Sequence, residues 1–210
     1  MEIYFVRHGQ TEWNVERRMQ GQNDSALTEK GVAESIALGE RLSEICFDGV
    51  WCSPLGRTKH SLQLILGEKR LPVRYDDRLL EIDLEMWEGR TKNELEQDSV
   101  NEKLVHAFWN SPDKFTPEWG ESFEDVQERI IDFFSELVAR HNCKRVLVVT
   151  HTTVIKTFLC YLTQTPLSEL WKTKAIYPSS LTTLNYEDEN WKIELEGDIE
   201  HYSTIPSGKY

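Results

Sequence analysis

The sequence predicts an α/β fold, a three-layer α/β/α sandwich with a mostly parallel central sheet. Three observations carry this reading. Short β-favouring apolar runs alternate with amphipathic helical stretches, the pattern that winds helices over both faces of a sheet. One run, Val146-Leu147-Val148-Val149, is apolar without interruption, as strands buried on both faces are. The chain has 210 residues, enough for one full α/β domain and too few for two ordinary ones. The expected organisation is a single domain over 1–210 with a small helical cap inserted at about 92–120.

The elements follow in order. Residues 2–7 read as a buried strand. Thr28 is an N-cap, and Val32, Ile36, Leu38, Leu42 and Ile45 supply an apolar helical stripe to about Cys46. Phe47-Asp48-Gly49 is a turn into a short strand, Val50 to Ser53, which ends at Pro54. A helix runs from Leu55 to about Leu66 with Arg57 in its first turn. Leu71 to Tyr75 is a third strand whose Pro72 suits an edge or a strand start. Leu79 to Gly89 has no clean period and reads as loop plus a helical turn. Two short helices, 91–98 and 101–110, precede a loop with Pro112 and Pro117. Ser122 and Asp125 form a capping-box-like start to a helix reaching about His141. The strand 145–150 is followed by a helix from about Thr153 to Leu162 and a shorter one from Pro166 to Lys172. Strands 180–186 and 191–196 meet at the acidic turn Glu187-Asp188-Glu189-Asn190, and 197–210 reads as a loosely packed end.

Composition narrows the function classes. With 39% hydrophobic and 29% charged residues, this is the make-up of a soluble globular protein. No apolar run approaches the roughly 20 residues of a membrane span, and the chain opens directly on a strand, so a cytoplasmic location is expected. Cys46, Cys52, Cys143 and Cys160 show no metal-ligand spacing, and Cys52 and Cys160 read as small core residues. A net charge of −12 argues against nucleic acid or an anionic membrane as partner. If such a protein binds an anion, its positive charge must be gathered locally, with Arg7 and Arg57 as candidates.

Four segments fall where a sheet edge presents them: Arg7-His8-Gly9, Ser53-Pro54-Leu55-Gly56-Arg57-Thr58, Glu81, and Thr150-His151-Thr152. Ligands of open α/β sheets bind at that edge. An imidazole following a strand, His8, can attack phosphorus in line if its other ring nitrogen is held by a hydrogen bond. Arg7 and Arg57 offer donor forks matched to phosphate oxygens, and Arg57 near a helix start adds the favourable N-terminal dipole field. His151, protonated, adds positive charge on the equatorial oxygens. Glu81 can protonate the leaving oxygen and then deprotonate water. Asn14, Gln20 and Gly21 lie just past the first strand, within reach of phosphate or its ester. His60, His106, His141 and His201 read as surface or helix-face residues without a role. A metal triad of the two histidines and a carboxylate is a poor fit, because two arginines in one pocket repel a cation and no HxH or HxxxH spacing occurs.

The run Arg7-His8-Gly9-Gln10-Thr11-Glu12-Trp13-Asn14, with Gln20-Gly21 and Leu27-Thr28-Glu29-Lys30-Gly31, closely resembles the opening of the histidine phosphatase superfamily, phosphoglycerate mutase-like branch. The likeness continues through Ser53 to Thr58, Leu80-Glu81-Ile82, Trp87-Glu88-Gly89, Gly120-Glu121-Ser122 and Val149-Thr150-His151, to about residue 185. The resemblance implies a phosphohistidine at His8 and a phosphate pocket of Arg7, Arg57 and His151. It implies proton donation by Glu81, oxygen contacts from Asn14 and Gln20, and no metal or organic cofactor. It also implies the phosphoglycerate mutase-like sandwich and a small-molecule phosphomonoester substrate, handled by a monomer or homodimer. Departures fall at Thr152-Thr153, where the family commonly has two glycines, at Glu85 and Met86 in place of a glycine and a polar residue, and at Leu80 in place of an arginine. Backbone N–H contact to phosphate at Thr152 survives unless positive φ is needed there.

Hydrolysis is favoured over mutase chemistry. Glu81 and His151 lie only 70 residues apart, and no clustered Lys/Arg lid is visible among Lys92, Lys103, Lys114, Arg129, Arg140, Lys144 and Arg145. Gln20 stands where true mutases carry a small hydroxyl residue. Aromatics of the cap, Phe108 and Trp109 among them, either pack on an organic leaving group or simply pack the helices. The alternatives are a phosphoglycerate mutase moving phosphate between sugar-acid hydroxyls, and a non-catalytic phospho-ligand binding protein.

Overall fold

A computed structural model describes residues 1–98, 101–140 and 142–203. Its strands are β1 (Glu2–Arg7), β2 (Gly49–Cys52), β3 (Val73–Tyr75), β4 (Arg145–Thr150), β5 (Leu181–Glu187) and β6 (Asn190–Asp198). Its α-helices are α1 (Glu12–Glu16), α2 (Glu29–Arg41), α3 (Gly56–Leu66), α4 (Lys92–Glu96), α5 (Glu102–Asn110), α6 (Phe123–Arg140) and α7 (Thr152–Thr163). The sheet order is β3-β2-β4-β1-β5-β6. β1, β2, β3 and β4 are parallel, while β5 and β6 run antiparallel at one side. β3 is an edge strand, as its proline-led sequence predicts.

Strand alternation builds two cores. From β4, Val146 and Val148 face one side with Phe5, Phe134 and Phe158, and Leu147 and Val149 face the other with Val6, Leu38, Leu62 and Ile65. On the first side α6 and α7 lock through Phe134 and Phe158, stacked at 4.2 Å. On the second side α2 and α3 cover the sheet. The first core extends into the 92–120 region, where the buried Phe108 and Phe115 pack against Trp87 and Phe123. Each such ring contributes about 1.5–3 kcal/mol by burial.

Several expectations change. The first helix, α1, was not anticipated: Thr11 caps it with Asn14 completing the capping box, and Asn at the third helical position departs from the usual Glu/Gln. Helix α2 stops at Arg41 rather than near Cys46, because Lys69 Nζ donates to the carbonyls of Leu42 and Ile45 at 3.1 Å each and ends it. Its inward face is Gly31, Glu34, Ser35 and Leu38, and Ile36 is 43% exposed. Gly31 sets that face: a Cβ there would lie 2.2 Å from the carbonyl oxygen of Gln10, so α2 approaches the first loop by its glycine. The β5–β6 hairpin turns through Asp188 and Glu189, both at positive φ (50° and 61°), the mirror-image turn that suits strand twist. β6 runs on through a buried Gly197 to Asp198, which ion-pairs with Arg41, so the loose end does not begin at 197. Residues 204–210 and His141 lie outside the described residues. Cys52 and Cys160 are buried and free, as expected. His60 and His106 are exposed. His201 is instead half-buried, and burial, then Arg41, pushes its pKa down to about 4. Among the described residues no helix is long and apolar enough to cross a membrane.

Candidate active site

Three neighbouring parallel strands, β2, β4 and β1, each release one polar residue just past their carboxyl ends: Ser53, His151 and His8. The register pairs Arg7 with Thr150, so the two histidines follow at the same level, with ring centroids 5.2 Å apart. His151 Nε2 shares a hydrogen bond of 2.8 Å with Ser53 Oγ. His8 holds its backbone by donating to Thr150 O at 3.0 Å, and its Nδ1 lies 2.8 Å from Gly9 O. A carbonyl only accepts, so Nδ1 carries the proton and Nε2 keeps the lone pair.

Helix α3 brings Arg57, and a second layer holds it. Its Nη1 donates to Asn23 O (2.6 Å) and Asp24 Oδ1 (3.0 Å), and its Nη2 to Gly21 O (2.6 Å). The Asp24 carboxylate also takes the backbone N–H groups of Gly56 (2.6 Å) and Arg57 (3.1 Å). The helix start expected to favour a bound anion is therefore already capped by a protein carboxylate, because Leu55 at the N-cap has no side-chain acceptor. Gly21 must be glycine: its φ is 52° and a Cβ would fall 2.0 Å from the Glu88 carboxylate. Glu88 in turn accepts from the N–H groups of Gln22 (2.7 Å) and Asn23 (2.9 Å), fixing the loop that grips Arg57. Ser61 ties α3 to the nucleophile loop, accepting from Gly9 N and donating to Arg57 O.

Arg7 reaches across to Ile176 O at 2.7 Å. Glu81 is half-buried beside the start of α7, its Oε1 accepting from Ile82 N at 3.0 Å and its Oε2 from Thr153 N at 3.4 Å. Neither Thr152 nor Thr153 has positive φ, so threonine replaces glycine there without backbone strain. Glu85, by contrast, sits at φ 37°, a conformation that glycine adopts without a side chain's steric cost. Asn14 Oδ1 is committed to the α1 cap, leaving its amide N–H groups to offer. Gln20 accepts from Thr11 Oγ1 and donates to Ser25 Oγ.

Two arginines and burial set the electrostatics. Burial, then Arg57 and Arg7, push His8 well below its ordinary pKa. Burial, Arg57 and His8 do the same to His151. Both shifts disfavour the imidazolium form, and a dianion bound beside the arginines would offset them and favour a proton on His151. His151 Nδ1 and Arg57 Nε are buried without a hydrogen-bond partner among the described residues. Such orphans cost about 1–3 kcal/mol each and mark where an oxygen-rich ligand would be bound.

These groups open onto a cleft of about 910 Å³ lined by Arg7, His8, Asn14, Gln20, Gly21, Arg57, Glu81 and Thr152. Of the residues singled out in the sequence only His151 is missing from its walls, being fully buried beside His8. Asp24, Ser53, Ser61 and Glu88 act behind the site; Ser53 and Glu88 fall within segments the sequence singles out, whereas Asp24 and Ser61 carry no sequence signal. Phe108 and Trp109 pack with Trp171 at 5.3–5.6 Å, as the helix-packing alternative expects, and all three border the cleft. Among the described residues no group of three or more His, Cys, Asp or Glu is placed to hold a metal ion.

Known proteins share this design. The structure of YhfR from Bacillus stearothermophilus superposes with a TM-score of 0.91 at 37% identity, covering 95% of this chain and 98% of that one. A mycobacterial glucosyl-3-phosphoglycerate phosphatase gives a TM-score of 0.81 at 29% identity, covering 92% and 97%. A probable phosphoglycerate mutase of Salmonella arizonae is 29% identical, covering 96% of this chain and 94% of its own. The family model for the histidine phosphatase superfamily, branch 1, matches residues 3–199, and with the paired histidines and arginines placed as they are, the chain belongs to that superfamily.

Proposed function

We propose that this protein is a phosphomonoesterase that hydrolyses small phosphorylated metabolites through a covalent phosphohistidine on His8. The observation that carries the reading is the His8 ring itself, with Nδ1–H given to Gly9 O and Nε2 left as the nucleophile in the cleft that Arg7 and Arg57 also line. The Nε2 lone pair attacks phosphorus while the bond to the ester oxygen breaks. Glu81, as the carboxylic acid, passes its proton to that oxygen. Arg7, Arg57 and His151 hold the three equatorial oxygens, with Asn14, Gln20, the backbone at Gly21 and the Thr152 N–H completing the pocket. Glu81, now a carboxylate, takes a proton from water; the water oxygen attacks phosphorus, the P–N bond breaks and inorganic phosphate leaves.

Water is preferred over a second sugar-acid hydroxyl as acceptor because the segment between Glu81 and His151, which lie 70 positions apart, holds no inserted basic lid to shield an intermediate. Similar structures that include a glucosyl-3-phosphoglycerate phosphatase and a putative alpha-ribazole-5'-P phosphatase agree with hydrolysis. The name of the Salmonella relative, a probable phosphoglycerate mutase, favours transfer. Acid quenching during turnover of a labelled phosphomonoester should trap label on the wild type and none on His8→Ala. Equal labelling of both would remove His8 as the carrier. Interconversion of 3- and 2-phosphoglycerate stimulated by the bisphosphate would replace hydrolase by mutase.

A further inference from the structure

Helix α7 carries one charged side chain, Lys156, within a stretch that is buried from Thr153 to Cys160. Only 5% of Lys156 is exposed, and among the described residues it makes no ion pair. Burial pushes its pKa down to about 8, and the nearby Arg7 adds to that push. A buried ammonium without a carboxylate is costly unless hydrogen bonds replace its water. Here they do. Lys156 Nζ donates to Thr173 Oγ1 at 2.7 Å and Lys174 O at 2.9 Å, with Leu170 O at 3.3 Å and Thr173 O at 3.4 Å. These four acceptors take up its three protons, so none is left for a bound phosphate.

All four acceptors lie on one stretch, the end of the 3-10 helix Leu167–Lys172 and the two residues after it. Carbonyls at a helix end lack donors within the helix, and Lys156 supplies them. From Thr173 the chain continues as an irregular strap to Ser180, where β5 follows, and Thr173, Ala175 and Ile176 line the cleft. The strap meets the reacting segment at three points. Ile176 O accepts from Arg7 Nη1 at 2.7 Å, Ser180 O accepts from Arg7 N at 3.4 Å, and Ser179 N donates to His8 O at 3.0 Å. Its far half is tied to α2, Ser179 Oγ lying 2.9 Å from Ser35 Oγ. Its near half has two single bonds nearer the surface, Trp171 Nε1 to Phe108 O at 2.5 Å and Lys174 Nζ to Glu196 O at 2.6 Å. Lys156 gathers that half from inside.

We propose, on the phosphomonoesterase reading, that Lys156 is a positioning residue for the phosphate pocket: it fixes the strap whose Ile176 carbonyl aims the Arg7 guanidinium. Lys156 itself touches no substrate. A neutral side chain of the same length leaves the strap carbonyls without donors, and strap and guanidinium then shift together. A displacement on the order of 1 Å in such a group costs up to about 100-fold in rate.

A double-mutant cycle tests this. Lys156→Met keeps the length and removes the donors. It should lower kcat/KM for 4-nitrophenyl phosphate by roughly tenfold or more, the size of a hydrogen bond to a charged group. In an Arg7→Met background the same change should cost less than about twofold, because the group that it positions is gone. Thr173→Val removes the shortest contact and keeps the cation; it should lose activity only where Arg7 is present, and Thr173→Ser should restore it. Equal losses with and without Arg7, or a Lys156→Met or Thr173→Val protein as active as the wild type, overturn the proposal. Should Lys156→Met not fold, the two Thr173 variants decide alone. If 4-nitrophenyl phosphate is not hydrolysed, calorimetry with inorganic phosphate runs the same cycle in affinity. Coupling to Arg7 there keeps Lys156 while the hydrolase reading falls; additive losses sink Lys156; a wild type that binds no phosphate sinks both.

Discussion

Asp24→Ala tests how far the second layer behind the phosphate pocket controls it. Asp24 does two jobs with one carboxylate. It caps α3 at Gly56 N and Arg57 N, and it pairs with Arg57 Nη1 at 3.0 Å. Losing a side-chain cap costs about 1 kcal/mol, and losing a hydrogen bond to a charged group about 1.5–3 kcal/mol. The sum is roughly 3 kcal/mol, somewhat less if water replaces the carboxylate, whose side chain is 39% exposed. At about 2–4 °C per kcal/mol for a chain of this size, the melting temperature should fall by about 6–12 °C. Removing an anion near the pocket also strengthens its positive field, which favours phosphate. Geometry should win, because Asn23 O and Gly21 O alone then hold a fully buried guanidinium. A displacement of about 1 Å costs up to roughly 100-fold in rate. Scanning calorimetry and steady-state kinetics on 4-nitrophenyl phosphate read both quantities, and Asp24→Asn, which keeps an acceptor oxygen, should fall between. An unchanged melting temperature with tighter phosphate binding would mean that Asp24 is only a competing anion.

Three further outcomes are expected. Glu81→Ala should lose far more activity on alkyl phosphates than on activated aryl phosphates, since only a basic leaving oxygen needs the proton; equal losses would dismiss Glu81 as the acid. Glu85→Gly should raise the melting temperature by a few degrees, because an exposed residue at φ 37° gives up about 1–2 kcal/mol of backbone strain against 0.5–1 kcal/mol of added chain entropy. A drop in its melting temperature would refute the strain. Stability should also decline on acidification below about pH 6.5. His8 and His151 titrate near 6.5 in the unfolded chain and well below it when folded, so the unfolded state binds more protons and stability rises with pH, by about 1.4 kcal/mol per unit for each. Melting temperatures at pH 6.5 and 5.5 measure the slope, and His8→Asn should shallow it. A flat profile would contradict the depressed values.

The depressed histidines and the orphaned nitrogens describe one physical state. Burial and two nearby guanidinium groups disfavour imidazolium. A dianion reverses that balance, so binding phosphate should draw a proton onto the site, most directly onto His151, whose Nδ1 has no partner among the described residues. Nucleophile and electrostatic partner are thus distinguished by environment. His8 is locked by a backbone carbonyl as a neutral base, and His151 is tied to a hydroxyl that can serve as donor or acceptor.

Much of this was readable from the chain because the signals are local. Short apolar runs mark the buried strands, and Arg7-His8-Gly9 and Thr150-His151 directly follow two of them, so the chemistry had to emerge at the sheet's carboxyl edge. Helical spacing placed α3, α6 and α7, and the apolar α6 face packs as its period requires. What stayed hidden depends on groups far apart in sequence. Asp24 caps a helix 32 residues away, which no capping motif encodes. Ile36 lost its place in the core because Gly31 packs on the Gln10 backbone, a contact that overrides hydrophobic period. The charge of the cleft is the plainest case. Along the chain Arg17, Lys30, Lys92 and Lys172 are scattered cations each near an acid, and only folding turns the cations inward to the cleft and leaves their carboxylates outside its walls. Residue types and spacing determine which chemistry the chain can perform. The folded arrangement determines the protonation of its histidines and the charge its substrate meets, because desolvation and Coulomb energy depend on distance and burial rather than on order in the chain.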